Sequence, residues 1–188
     1  MSFARLAKRP ARPLLRRGLR ALARARRGST LVEFAVVATP LFALLIAITQ
    51  TALTFFTQQV LETTVEKSGR HILTGAAQKS GMSKAAFNQV VCATLPAYLK
   101  CSNVLIDVQT ASSFSTADTA PLKITFDKSG KPTNVTAYNP GNPGDIVVMK
   151  VMYLWSVAPG PLGFDLSTLS TGQRLLVATA VFKTEPYQ

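Results

Sequence analysis

Residues 34–61 read FAVVATPLFALLIAITQTALTFFTQQVL, and none of these 28 residues is charged. A helix rises about 1.5 Å per residue, so about 20 apolar residues cross the hydrocarbon core of a bilayer. A buried helix of a soluble protein is the alternative, but such a helix rarely runs this far without a polar face. The stretch therefore predicts a transmembrane helix at residues 29–56. Apolar residues at three- and four-residue spacing extend the helix to about Gly69 or Gly75.

Positive charge is concentrated in front of this helix. Residues 1–28 hold ten of the 21 basic residues and no acidic one, whereas the other 160 residues hold eleven basic and nine acidic residues. The positive-inside rule therefore places residues 1–28 in the cytoplasm and residues 57–188 on the other side of the membrane. A basic domain that binds nucleic acid would spread its charge over a folded face. We predict a basic leader, a transmembrane helix and an outer domain, with no nucleic-acid partner.

The junction between the basic leader and the helix reads Arg26-Arg27-Gly28-Ser29-Thr30-Leu31-Val32-Glu33-Phe34. A charged residue inside a bilayer costs about 2.5–3.5 kcal/mol, so Glu33 is expected to have a partner or a role. Thr30 and Glu33 also have the spacing of a capping box, and this purely structural interpretation stays open. An ordinary cleaved signal peptide fits less well, because the apolar stretch is too long and no small-x-small site follows it.

This junction resembles the processing site of type IV-type prepilins, and most of all that of the Tad (tight adherence) branch. Proteins of that branch have a basic leader, a Gly, four further residues, and a Glu followed by an aromatic residue, usually Tyr. Gly28, Ser29, Glu33 and Phe34 match this pattern, with Phe in place of Tyr. The resemblance implies that a prepilin peptidase cuts between Gly28 and Ser29. It also implies that Glu33 pairs with the new amine of a neighbouring subunit.

One span followed by an outer domain of this size is similar to the TadE-like pseudopilins. The resemblance implies a minor pilin or pseudopilin that acts structurally in the assembly of Tad/Flp pili, an adhesion and secretion-type apparatus. Its implied place is the bacterial inner membrane, with the N-terminus in the cytoplasm and the C-terminal domain in the periplasm. Its implied partners are the prepilin peptidase, other Tad pilins and pseudopilins, the inner-membrane assembly platform and the lipid bilayer. The alternative is an unprocessed, single-pass, membrane-anchored periplasmic binding or scaffold protein.

The outer domain has the pattern of an α+β fold. A second helix is predicted at residues 84–95, with Ser83 as its N-cap. Alternating apolar residues predict three or four strands, at 104–108, 122–126, 145–157 and 174–183. The predicted fold class is α+β, in which the long N-terminal transmembrane helix continues into a pilin-like domain with a small antiparallel β-sheet.

Few residues of the outer domain suggest chemistry. An oxidising periplasm favours a disulfide between Cys92 and Cys101, and two packed free thiols are the alternative. His71 is the one histidine, and it has the position of a solvated residue near a helix end. No nucleophile elbow and no phosphate-loop lysine is present. We predict no enzyme activity, no cofactor and no metal ion.

Overall fold

The computed structural model describes residues 28–133 and 136–186. In these residues the helices are α1 (Ser29–Leu73), α2 (Ala76–Lys79) and α3 (Lys84–Thr94), and the strands are β1 (Val104–Ala111), β2 (Ile146–Ser156) and β3 (Gln173–Lys183). The predicted α+β class, a long apolar N-terminal helix followed by a small antiparallel sheet, is confirmed. The predicted basic leader lies outside the described residues as far as residue 27.

The chain divides into two compact units, Met1–Ile46 and Ala47–Gln188, and α1 contributes to both. We call its two portions the first segment (residues 29–46) and the second segment (residues 47–73). The helix begins at Ser29, so Thr30 lies in its first turn and not at the capping position. By length and composition, α1 is the one helix in the described part of the chain that could cross a membrane.

The sheet has the order β1-β2-β3, and both strand pairs are antiparallel. Side chains alternate between its two faces, as the period of a strand requires. Residues at one register position, such as Ile106, Val151 and Ala178, are buried together on the inner face. The inner face joins Leu61, Val65 and Ile72 of α1 in one hydrophobic core.

Close approach of α1 to the sheet depends on small residues in its second segment. A Cβ atom built on Gly69 would lie 3.3 Å from Cε1 of Phe182, tighter than an ordinary van der Waals contact. Ser68 and Thr64 are also buried on this face. The Ser68 hydroxyl donates to the Thr64 carbonyl at 2.6 Å, which satisfies its hydrogen bond within the helix. Small and internally bonded residues therefore let the helix lie close to the strands.

Helix α3 confirms the predicted second helix within one residue at its end. The Ser83 hydroxyl accepts a hydrogen bond from the backbone N–H of Ala86 at 3.2 Å, as expected of an N-cap. The helix buries Phe87 and Val91 in the core. Its packing therefore extends the same core to which α1 and the sheet contribute.

The strand predicted at residues 122–126 is wrong, since only Phe126 in this range makes an isolated bridge, to Pro132. The free edge of β1 is taken by another segment. There the Val108 N–H donates to the Ala137 carbonyl at 3.0 Å, and the Asn139 N–H donates to the Val108 carbonyl at 2.9 Å. Residues 122–126 therefore cannot pair with this edge of β1 at Val108, because the backbone of Ala137 and Asn139 already occupies it.

Candidate processing site and membrane helix

The predicted cleavage site lies at the start of α1. Gly28 is exposed, and a Cβ atom built on it would meet nothing within 4 Å. The fold therefore does not require glycine at this position for packing. Helix α1 begins at the next residue, Ser29, which is the predicted first residue of the processed chain.

Glu33 and Phe34 follow in the second turn of the helix, and both are exposed. Because residues four apart lie on one helix face, Glu33 is one turn above Ser29 on the same side. Three of the four predicted residues of the processing motif, Gly28, Glu33 and Phe34, are thus exposed near the helix start. Whether a peptidase cuts there stays a prediction.

The first segment of α1 is apolar on nearly its whole surface. Leu31 is 73% exposed and Phe34 is 68% exposed. The same holds for large side chains along the segment, namely Val32, Val36, Val37, Leu41, Phe42, Leu44, Leu45 and Ile46. Many large apolar side chains exposed in one continuous stretch are unusual in a monomeric soluble protein. This is the surface expected of a helix that meets lipid or other apolar helices.

Threonines along α1 donate their hydroxyl hydrogens to backbone carbonyls of the same helix. Thr39 donates to the Ala35 carbonyl at 2.8 Å, and Thr51 donates to the Ala47 carbonyl at 2.8 Å. The same four-residue hydrogen bond recurs at Thr54, Thr57, Thr63 and Thr64. Hydroxyls bonded back to the helix are compatible with an apolar medium. This explains how Thr39, Thr51, Thr54 and Thr57 are accommodated in the apolar stretch.

Two glutamines attach the second segment of α1 to the outer domain. The Gln50 side-chain amide donates to the Ala158 carbonyl at 3.3 Å, and the Gln58 amide donates to the Val177 carbonyl at 2.9 Å. These residues could not be predicted from the sequence, because glutamine in an apolar run has no pattern that reveals a distant partner. They connect the end of the uncharged stretch to residues near β2 and β3.

Cys92 and Cys101 form a disulfide in the structure, with their Cα atoms 5.5 Å apart. The bond joins α3 to the turn Cys101–Asn103 that leads into β1. It therefore links α3 to β1, an edge strand of the sheet.

The outer face of the sheet carries a buried polar pair that no sequence pattern predicted. Asp107 and Lys150 lie opposite each other in the register, and both are nearly inaccessible. The Lys150 ammonium donates to the Ala120 carbonyl at 2.8 Å and lies 3.8 Å from the Asp118 carboxylate. Asp107 accepts from the Ala137 N–H and the Gln109 amide, both at 2.7 Å. These bonds attach the loops that cover the sheet, so we assign the pair a structural role.

The outer domain offers little for catalysis in its described part. No group of three or more His, Cys, Asp and Glu side chains in residues 28–133 and 136–186 could hold a metal ion. Burial raises the pKa of the Tyr138 hydroxyl, whose ring packs 5.4 Å from that of Phe87.

The start of α1 and most of its length resemble a known protein family. Residues 28–70 match the model of a protein family described as TadE-like protein. These residues form a TadE-like segment. The match begins at Gly28 and ends inside α1, so it covers the processing motif and the helix but not the sheet. The family resemblance of the sequence is confirmed over residues 28–70, and together with the long apolar helix it suggests a membrane anchor. No curated protein and no solved structure matches the chain.

Proposed function

We propose that this protein is a TadE-like minor pilin or pseudopilin, which a prepilin peptidase processes after Gly28 and which acts structurally in the assembly of Tad/Flp pili. The observation that carries the proposal is the family match, which starts at Gly28. The helix begins at the following residue, so cleavage would leave a chain whose first residue is already helical. Gly28 is exposed, which supports access by a protease.

Cleavage would change the electrostatics of the helix start. It would create a cationic amine on Ser29, one turn from the Glu33 carboxylate and on the same helix face. A carboxylate that enters an apolar environment alone is costly, and a nearby positive charge reduces this cost. In an assembly, the Ser29 amine of one subunit would form an ion pair with the Glu33 carboxylate of the next. The processed end would thus help to select neighbouring subunits.

The first segment of α1 supplies the contact surface for assembly. Its large apolar side chains are exposed within its own unit, so lipid covers them in the membrane and neighbouring helices cover them in an assembly. The positive charges before Ser29 orient the chain with its leader in the cytoplasm and its outer domain in the periplasm. In this orientation the chain would meet the peptidase and the assembly platform in the inner membrane.

Cleavage is tested by N-terminal sequencing of the protein recovered from bacterial membranes, with and without the prepilin peptidase. We expect a start at Ser29 only when the peptidase is present. Gly28→Leu should prevent cleavage, because a bulky side chain blocks the extended backbone from the protease cleft. The substitution leaves the fold intact, since a Cβ atom at residue 28 meets nothing. Gly18→Leu is the matched control in the leader and should be cleaved normally.

An intact leader in both strains would contradict the proposal. It would favour the unprocessed, membrane-anchored periplasmic binding or scaffold protein, in which Glu33 has only a local role. Cleavage of the Gly28→Leu variant at the same bond would remove the assigned role of the glycine.

A further inference from the structure

The loop of residues 157–164 is held in one conformation by its own backbone. The Gly160 N–H donates to the Phe164 carbonyl at 2.8 Å, and the Phe164 N–H donates back to the Pro161 carbonyl at 3.2 Å. A Cβ atom at Gly160 would lie 2.8 Å from the Phe164 carbonyl oxygen, so only glycine fits there. Pro159 and Pro161 restrict the loop further. We call these residues the 157–164 loop.

Leu162 occupies the tip of the 157–164 loop in an unusual conformation. Its φ is 58° and its ψ is 26°, in the left-handed region that residues with a side chain rarely adopt. Leu162 is also 80% exposed, the highest fraction for a large apolar side chain in the described residues. A rigid loop that presents a leucine outward in a disfavoured conformation points to a contact outside the domain.

The position of the loop along α1 indicates what that contact is. The Gln50 amide of the helix bonds to the Ala158 carbonyl of the loop at 3.3 Å. Counted from Phe34, the roughly 20 residues that cross a bilayer end near residue 53. The loop is therefore attached to α1 at the level where the helix leaves the hydrocarbon core.

Other residues at this level suit a membrane surface. Phe55 and Phe56 are exposed, and Tyr98 stacks on Phe56 with the ring centroids 6.3 Å apart. Arg174 lines a cleft of about 310 Å³ that Phe55 also lines, which places a cation beside the helix at this height. Aromatic residues and cations are enriched where a protein meets lipid headgroups.

We infer that the 157–164 loop docks on the bilayer surface on the side of the outer domain, with Leu162 inserted at the boundary between headgroups and acyl chains. This rests on the proposed membrane insertion of α1. Docking would give the domain a second attachment to lipid besides the helix. It would hold the end of the sheet that contains Trp155 and Arg174 towards the membrane.

Quenching of tryptophan fluorescence by brominated lipids tests the contact. The full chain is reconstituted in vesicles whose acyl chains carry bromine close to the headgroups. Trp155 is the one tryptophan of the sequence, so Trp155→Phe gives a background without tryptophan. Leu162→Trp then reports on the loop. Because residue 162 is exposed, this substitution should not disturb the fold. Phe114→Trp is the matched control. Phe114 is 60% exposed and follows β1 at the end of the sheet away from the 157–164 loop.

We expect the Leu162→Trp protein to lose most of its emission in brominated vesicles and the Phe114→Trp protein to keep it. Equal and weak quenching of both would overturn the inference. A blue-shifted but unquenched Leu162→Trp protein would also overturn it, because protein, such as a second copy of the chain, would then cover the loop. Phe42→Trp in the first segment of α1 separates the two proposals, and it is measured in vesicles brominated near the ends of the acyl chains, because residue 42 lies near the middle of the proposed span. Quenching there without quenching at residue 162 removes the docking alone, whereas no quenching at residue 42 removes the membrane insertion.

Discussion

The two segments of α1 belong to one continuous helix but have opposite surroundings. In the first segment, large apolar side chains from Leu31 to Ile46 are exposed. In the second segment, Leu61, Val65 and Ile72 are buried against the sheet. Burial of apolar surface gives about 25 cal/mol per Å², so the second segment stabilises the fold, whereas the first gains nothing comparable within its own unit. One helix therefore has two kinds of surface, one buried against the sheet of its own domain and one apolar and exposed.

The largest expected effect is a loss of stability, which we compare for one leucine from each segment of α1. Leu61→Ala should lower the free energy of unfolding of the outer domain by about 2–5 kcal/mol, because it leaves a cavity in the core. Leu45, which is 48% exposed, is the matched control, and Leu45→Ala should change that energy by less than about 0.5 kcal/mol. Denaturant unfolding in detergent, followed by Trp155 fluorescence, measures both. Similar losses for the two variants would show that the first segment also packs on protein.

A change away from α1 sharpens the comparison. The Cys92–Cys101 bond closes a loop with a sequence separation of nine, so its loss should cost the outer domain about 2–3 kcal/mol. Membrane attachment should persist, since it depends on the first segment. The measurements are unfolding of a Cys92→Ala/Cys101→Ala variant and sedimentation of that variant with membranes. Full thiol labelling of the native protein without reductant would show that the cysteines are not paired.

The smallest expected effect concerns the close approach of helix and sheet. Gly69→Val places a branched side chain against the Phe182 ring and the Met149 sulfur, and overpacking of this kind costs about 1–3 kcal/mol. Gly28→Val is the matched control, since its Cβ would meet open space, and it should leave the unfolding energy unchanged. Thermal unfolding of both variants in detergent measures the difference. An unchanged melting temperature for Gly69→Val would mean that the helix can move away from the sheet freely.

Several features could be predicted because their signals are local. The uncharged run predicts the long helix, and Ser83 before an apolar pattern predicts the start of α3. The β-branched residues of 145–157 and 174–183 predict β2 and β3 within one or two residues. The strand predicted at 122–126 failed because pairing depends on which segment occupies the edge of β1, and that choice is made between residues far apart in the chain.

The sequence by itself determined the long apolar helix, the asymmetric charge, the motif from Gly28 to Phe34 and the α+β class, because each depends on residues that are close in sequence. Only the tertiary structure decided where α1 changes from an exposed apolar surface to a buried one. It also decided that Gln50 holds the 157–164 loop and that Lys150 and Asp107 are buried. The physical reason is that burial and hydrogen bonding depend on partners tens of residues away, whereas helix formation and hydropathy depend on residues close in sequence.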